Sequence, residues 1–288
     1  MSKRSPSISV VGLGLMGTAF TERLLEYGWR LFVWNRSAEK AQPLIVKGAV
    51  WTDEPFAVSD RVIVSLYDSA AVREVIEAMK PQLRPGMIII DTTTGEPEQS
   101  MRLATELAEQ GIRYLEAPVS GSSEQARRGE ATAMVGGDRA AFEACADLWP
   151  MLGAKVFHCG PSGSAAKMKL ITNLVLGLNR AVLAEGLVFA ESQGVPAAAA
   201  LEVMRDSMAY SRAMDVKGRK MIEGDFTPQA RLSQHLKDVR LMLQSAERAG
   251  LALPLSATHR ELLEQAEAAG FGELDNSAII KVMGADKQ

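Results

Sequence analysis

The chain of 288 residues holds only two cysteines, Cys145 and Cys159, and three histidines, His158, His235 and His259. Two thiols cannot build a disulfide framework, and the scattered histidines show no HExxH-type spacing, so no metal site is expected. The cysteines read as small buried hydrophobes in a reducing compartment. A basic excess is also missing: 32 Lys and Arg face 35 Asp and Glu, for a net charge of −3. No global field exists to hold nucleic acid, and any anion site must be local. No uninterrupted apolar run approaches the roughly 18 residues of a membrane span. The uncharged stretch from Ser5 to Thr21, behind Lys3 and Arg4, could pass for a signal peptide. Gly12, Gly14 and Gly17 interrupt it at fixed spacing, and no convincing small-residue cleavage site follows. The chain therefore reads as cytoplasmic, without nucleic-acid or membrane partners.

What remains is a globular composition, 47% hydrophobic and 23% charged, in a length that suits about two domains of roughly 150 residues. Through the first half, short β-branched runs (8–11, 31–34, 62–66, 87–91, 113–116, 132–135 and 155–158) read as strands and alternate with helix-length segments. Three of those segments end at Gly28, Gly48 and Gly111, where a left-handed helix cap wants glycine. Such alternation predicts a Rossmann-type α/β, doubly wound, mostly parallel sheet over 1–163. From Ser164 to Gln193 the apolar positions are helical in period and no proline intervenes, which predicts a helix of roughly 45 Å, long enough to leave one domain for another. Segments 197–208, 234–249 and 256–269 are also helical in period, so 164–288 is expected to be all-α.

Gly12, Gly14 and Gly17 form G-x-G-x-x-G after the first predicted strand and at the start of a helix. The first glycine permits a tight turn, the second lets a pyrophosphate approach the backbone, and the third lets helix pack on strand. The helix N-terminus adds unpaired N–H groups and positive potential. The second strand ends at Trp34-Asn35-Arg36-Ser37, without the carboxylate that usually meets the ribose 2′-hydroxyl of NAD. Arg36 can fork a 2′-phosphate, with Asn35 and Ser37 adding uncharged hydrogen bonds, so NADP is expected over NAD.

Four blocks occur in order: GLGLMG at 12–17, DTTT at 91–94, APVSGSSEQARRGEATAMVGG at 117–137 and GSAAKMKLITN at 163–173. Together they resemble the β-hydroxyacid dehydrogenase family over nearly the whole chain, nearest in motif to its glyoxylate/succinic semialdehyde reductases. The resemblance implies a Rossmann domain followed by a helical domain like that of 6-phosphogluconate dehydrogenase. It also implies an NAD(P)-dependent oxidoreductase that interconverts a small aldehyde acid and its hydroxy acid, assembled as a homodimer or homotetramer.

The same resemblance makes Lys169 the catalytic lysine, because Asn173 follows it by four residues, as in the family; Lys167 points elsewhere on the helix. Ser120, Gly121 and Ser122 would hold the substrate carboxylate, although Ser122-Ser123 replaces the double glycine of several members. Asn173 would orient Lys169 and touch substrate. Leu13, Leu15 and Met16 of the turn, with Leu66, Thr94 and Lys237, complete the implied cofactor contacts. Ala230 stands where phenylalanine is common and Gln234 replaces a usual leucine or histidine, leaving the substrate open. Arg180, about three turns after Lys169 along one face, reads as a second carboxylate anchor or, more simply, as a surface or interface arginine. Met204, Met208, Met214 and Met221 read as core fillers. Imine reductases share the glycine turn and a WNR-type phosphate grip but generally lack the lysine, which makes C=N reduction the alternative activity.

Overall fold

The computed structural model describes residues 7–284. Two compact units part between Lys169 and Leu170.

The first unit is built on a nine-stranded sheet. Its strands are β1 (Ser7–Val11), β2 (Arg30–Trp34), β3 (Val50–Trp51), β4 (Arg61–Val64), β5 (Ile88–Asp91), β6 (Arg113–Glu116), β7 (Val119–Ser120), β8 (Thr132–Gly137) and β9 (Lys155–Gly160). They lie in the order β3-β2-β1-β4-β5-β6-β8-β7, with β9 also on β8. The run from β3 to β6 is parallel, as expected for βαβ crossovers. Successive residues of its central strands enter opposite cores: Ile63, Ile88 and Ile90 pack on one face, Val62, Val64 and Ile89 on the other. Burial on both faces explains why these strands read as continuous β-branched runs.

Beyond β6 the sheet departs from the expected pattern, since β8 runs antiparallel to both β6 and the two-residue β7. Gly137 (φ +129°) makes this approach possible: a Cβ there would meet Leu115 Cδ2 and the Tyr114 carbonyl, each at 2.8 Å. The sequence reading also passed over β3 and the helix Ser69–Ala78. The glycines at 28, 48 and 111 do adopt left-handed backbone after their helices.

The long helix runs Ser164–Ser192, within one residue of the expected span. Its first turn belongs with the sheet, so the division comes six residues later than 163. Glu116, at the end of β6, accepts the Gly163 N–H, and the Lys169 ammonium donates to the Val119 carbonyl at 2.7 Å. By length and composition this helix could cross a membrane, which the sequence reading did not anticipate. Yet Leu170, Ala181, Leu183, Ala184 and Leu187 pack into the second core, and Lys169, Asn173 and Arg180 are buried on it as well.

The second unit is helical, with Ala197–Arg205, Leu232–Arg248 and Pro254–Ala266 as its longer elements after the shared helix. Met204, Met214, Met221 and Met242 fill its core, whereas Met208 is fully exposed and fills nothing. A buried Lys217–Asp275 ion pair at 2.8 Å ties its later segments together.

Candidate active site

The cofactor candidates of the first unit gather because β1, β2, β4 and β5 are parallel and end on one edge. The glycine turn follows β1, residues 35–37 follow β2, Leu66 follows β4 and Thr94 follows β5. Between β1 and β4 the chain order reverses, the point at which open α/β sheets leave a ligand crevice. Gly12 has φ +97°, and a Cβ on Gly17 would collide with the Gly12 carbonyl. The loop is therefore closed on itself at these two glycines. Gly14, by contrast, has open space where its Cβ would stand, and it begins the helix Leu15–Glu26 without any side-chain cap. The uncapped N–H groups of Leu15 and Met16 and the bare backbone at Gly14 suit a pyrophosphate.

Residues 35–37 divide their duties. Asn35 Oδ1 accepts the Leu13 N–H at 2.9 Å and its Nδ2 donates to the Ser37 carbonyl at 3.0 Å. The Asn35 amide thus clamps the glycine turn to the end of β2 instead of standing open to a phosphate, while the Ser37 side chain is not engaged by it. Arg36 is exposed, with no polar partner among the described residues, and is the group left to meet an anion. The Leu66 N–H donates to Thr93 Oγ1 at 3.0 Å, and Thr92 Oγ1 donates to the Val64 carbonyl at 3.0 Å. Two threonines of DTTT thus hold the crevice wall, and Thr94 follows them, half-buried.

Lys169 is 8% exposed, and its bond to Val119 O places the ammonium against the residue before Ser120. Lys167, two residues earlier on the helix, is exposed. Gly121 adopts φ +154°, with Ala131 Cβ 3.1 Å from the position of an added Cβ. Ser122 departs from expectation. Its Oγ accepts the Gln125 N–H at 3.2 Å while its own N–H donates to Gln125 Oε1 at 2.9 Å, a reciprocal capping box on the helix Ser123–Arg127. Its backbone N–H is taken by the helix cap, while its Oγ–H stays a donor that no described residue uses. Ser120 Oγ has no hydrogen-bond partner among the described residues.

In the helical unit, Asn173 Nδ2 donates to Asp238 Oδ2 at 2.9 Å, and Asp238 Oδ1 lies 3.2 Å from Lys237 Nζ. Asp238 was not a sequence candidate, though it adjoins Lys237 in LKD. The Ala230 N–H reaches Asp275 Oδ2 at 3.3 Å, so this segment is held by its backbone. His235 and His259, read as scattered, have ring centroids 5.2 Å apart. Among the described residues no group of three or more His, Cys, Asp and Glu could hold a metal.

Glu116, at the end of β6 and bonded to the Gly163 N–H that precedes the long helix, is a buried carboxyl, 2% exposed. Burial pushes it up to about 7, against the pull of backbone N–H groups at Gly163, Ala166 and Ala165.

A family model described as the NAD binding domain of 6-phosphogluconate dehydrogenase matches residues 7–160, and one described as NAD-binding of NADP-dependent 3-hydroxyisobutyrate dehydrogenase matches 163–283. Glyoxylate/succinic semialdehyde reductase 1 of Arabidopsis thaliana is 31% identical over 96% of this chain and 98% of its own. The 2-hydroxy-3-oxopropionate reductase of Escherichia coli is 33% identical over 96% of each. The crystal structure of a 3-hydroxyisobutyrate dehydrogenase from Salmonella typhimurium superposes with TM-score 0.88 at 26% identity, covering 97% of this chain and 100% of that one. An imine reductase from Pseudomonas sp., at TM-score 0.68 and 24% identity over 97% of this chain and 99% of that one, shares the fold alone. With a glycine turn on the switch point of its sheet and a buried lysine on the helix that leaves it, the chain belongs to the β-hydroxyacid dehydrogenase family of oxidoreductases.

Proposed function

We propose that this protein is an NADP-dependent reductase or dehydrogenase that interconverts a small aldehyde acid and its hydroxy acid, in the cytoplasm and as a homo-oligomer. The observation that carries the reading is the 2.7 Å bond from Lys169 Nζ to Val119 O, which puts an ammonium beside the Ser120-Gly121 turn. When bound, the nicotinamide supplies or accepts the hydride at the aldehyde carbon. The chain's own task is to handle charge and proton on the adjacent oxygen.

Lys169 donates a hydrogen bond to that oxygen, opposes the negative charge that develops as the aldehyde is reduced, and delivers the proton; in oxidation it takes the proton back. Ser120 Oγ–H and the Gly121 backbone hold the substrate carboxylate, which fixes the aldehyde relative to Lys169. Asn173, one turn further along the helix, is steadied by Asp238 and orients the substrate oxygen with Lys169. Lys237, paired to the other Asp238 oxygen, is a cofactor contact.

Three features favour NADP: an exposed Arg36 with an open guanidinium, the absence of an acid at the end of β2, and a second family model that describes NADP-dependent enzymes.

The test is NADPH oxidation with glyoxylate, succinic semialdehyde, tartronate semialdehyde and methylmalonate semialdehyde, repeated with NADH. Lys169→Ala should lose about 10²- to 10⁴-fold in kcat while still binding NADPH. Wild-type turnover by that variant refutes the assignment.

A further inference from the structure

Glu116 at the end of β6 and Val119 at the start of β7 both hold the beginning of the long helix. The Glu116 carboxylate accepts the Gly163 N–H, and the Val119 carbonyl accepts from Lys169 Nζ. Residues 116–119 and 163–169 are therefore tied together at both ends, and Lys169 is one of the ties. The Ala165 and Ala166 N–H groups add to the grip at Glu116. Gly136, opposite Glu116 on β8, makes room for it: a Cβ there would collide with Glu116 Oε1 and with the Ala165 nitrogen.

This carboxyl is buried, and no lysine or arginine pairs with it among the described residues. Its Oε2 has no hydrogen-bond partner among them either. The groups around it are few. Asp91 is its neighbour in register on β5 and accepts from the Tyr114 hydroxyl. Strand β9 brings Cys159, whose thiol is pushed up by burial and in part by Glu116, and His158, whose ring bonds to the Gly137 carbonyl. Strand β8 faces it with Gly136 and Gly137 alone. The long helix offers backbone N–H groups and, beyond them, Lys169 on Val119 O.

Burial and then the helix N–H groups act on Glu116 in opposite senses, and Asp91 adds to the rise, so the carboxyl titrates at about 7. Charging it costs stability overall. Yet the charge strengthens each bond it accepts, and it sits at a helix N-terminus, where the backbone favours an anion.

We propose that Glu116 is a positioning residue for Lys169: in its ionised form it draws the first turn of the long helix onto the β6–β7 corner and so fixes the ammonium at Val119 O. The role rests on the reductase reading for what Lys169 does. A catalytic group displaced by about 1 Å can lose about 10²-fold in rate, so a partial loosening here is visible in kinetics.

The experiment pairs amide hydrogen exchange over residues 163–169, which needs no substrate, with single-turnover NADPH oxidation by glyoxylate or succinic semialdehyde from about pH 5.5 to about pH 9. The wild-type rate should climb about tenfold as pH rises through about 7. Lys169 is the acid in this direction, so losing its own proton lowers the rate at the alkaline end and cannot produce the climb. Glu116→Gln, neutral at every pH, should match the wild type within about twofold at the acid end, lose the climb, and exchange its 163–166 amides about tenfold faster at about pH 8. Its Tm at that pH should be no lower than the wild type's, because a buried charge is gone; a residue that served stability alone would move rate and Tm together. Glu116→Asp, a carboxylate one methylene short, should keep the climb at reduced height.

A wild-type rate that is flat through about pH 7 overturns the proposal without any variant. Wild-type exchange in Glu116→Gln, or an intact climb, does so too. The expected exchange with no turnover of any aldehyde acid, or with full turnover by Lys169→Ala, sinks the reductase reading alone. An inactive Lys169→Ala beside an unaltered Glu116→Gln sinks the positioning role alone.

Discussion

Asn173 and Asp238 stand 65 residues apart in sequence and are joined by a 2.9 Å hydrogen bond from Nδ2 to Oδ2. That bond fixes which way the asparagine amide faces, one helical turn from Lys169. Both residues are buried, so losing one partner leaves the other desolvated and unsatisfied.

Asp238→Asn should therefore lower kcat/KM by about 10- to 100-fold, the kinetic equivalent of a hydrogen bond to a charged group. Steady-state kinetics with any accepted aldehyde acid reads this directly. An Asp238→Asn enzyme with wild-type kcat/KM would show that the pair has no part in orienting Asn173.

Coenzyme choice should follow Arg36. Removing the guanidinium in Arg36→Leu should raise KM for NADPH by about 10- to 100-fold and leave NADH nearly unchanged, because the 2′-phosphate is all that the two cofactors do not share. An equal change for both would mean that Arg36 meets some other part of the dinucleotide.

Ser120 and Ser122 should separate in their effects. Ser122→Ala removes a helix cap and should cost about 1 kcal/mol, seen as a fall of about 2–4 °C in Tm, with substrate KM within about twofold. Ser120→Ala should raise substrate KM and leave Tm nearly unchanged. The opposite pattern would return Ser122 to the carboxylate cradle.

Two buried titrations oppose each other in acid. His259 falls from 6.5 unfolded to about 4 folded, so the unfolded chain binds more protons between those values. Its stabilisation is complete above pH 6.5 and is lost as pH falls through 4. Glu116 rises from 4.5 to about 7, so its contribution is complete below pH 4.5 and is lost as pH rises through 7. Each shift of this size is worth roughly 3 kcal/mol. Denaturant titrations from pH 4 to 8 should therefore show His259→Gln with a reduced acid loss and Glu116→Gln with a reduced loss between pH 5 and 8. Unchanged slopes in both variants would place these groups in water.

The legible parts of this molecule were the local ones. The glycine turn and the cap glycines at 28, 48 and 111 depend on residues within a turn or two of each other, whereas Lys169 and Asn173 were picked out by the family resemblance. Ser122-Ser-Glu-Gln125 also spells a capping box, as local a signal as the cap glycines. Asp238 and the His235–His259 pair were hidden because long-range packing brings them together. The antiparallel β7–β8 pairing escaped notice because a two-residue strand has no period to detect.

The Asn35 clamp carries a lesson for redesign. Because one amide ties Leu13 to Ser37, the tight turn and the residues after β2 behave as a single mechanical part. Exchanging the whole Asn35-Arg36-Ser37 segment to convert the coenzyme preference would slacken the loop beneath the diphosphate and degrade binding of either dinucleotide. A conversion confined to Arg36, with Asn35 kept, avoids that penalty.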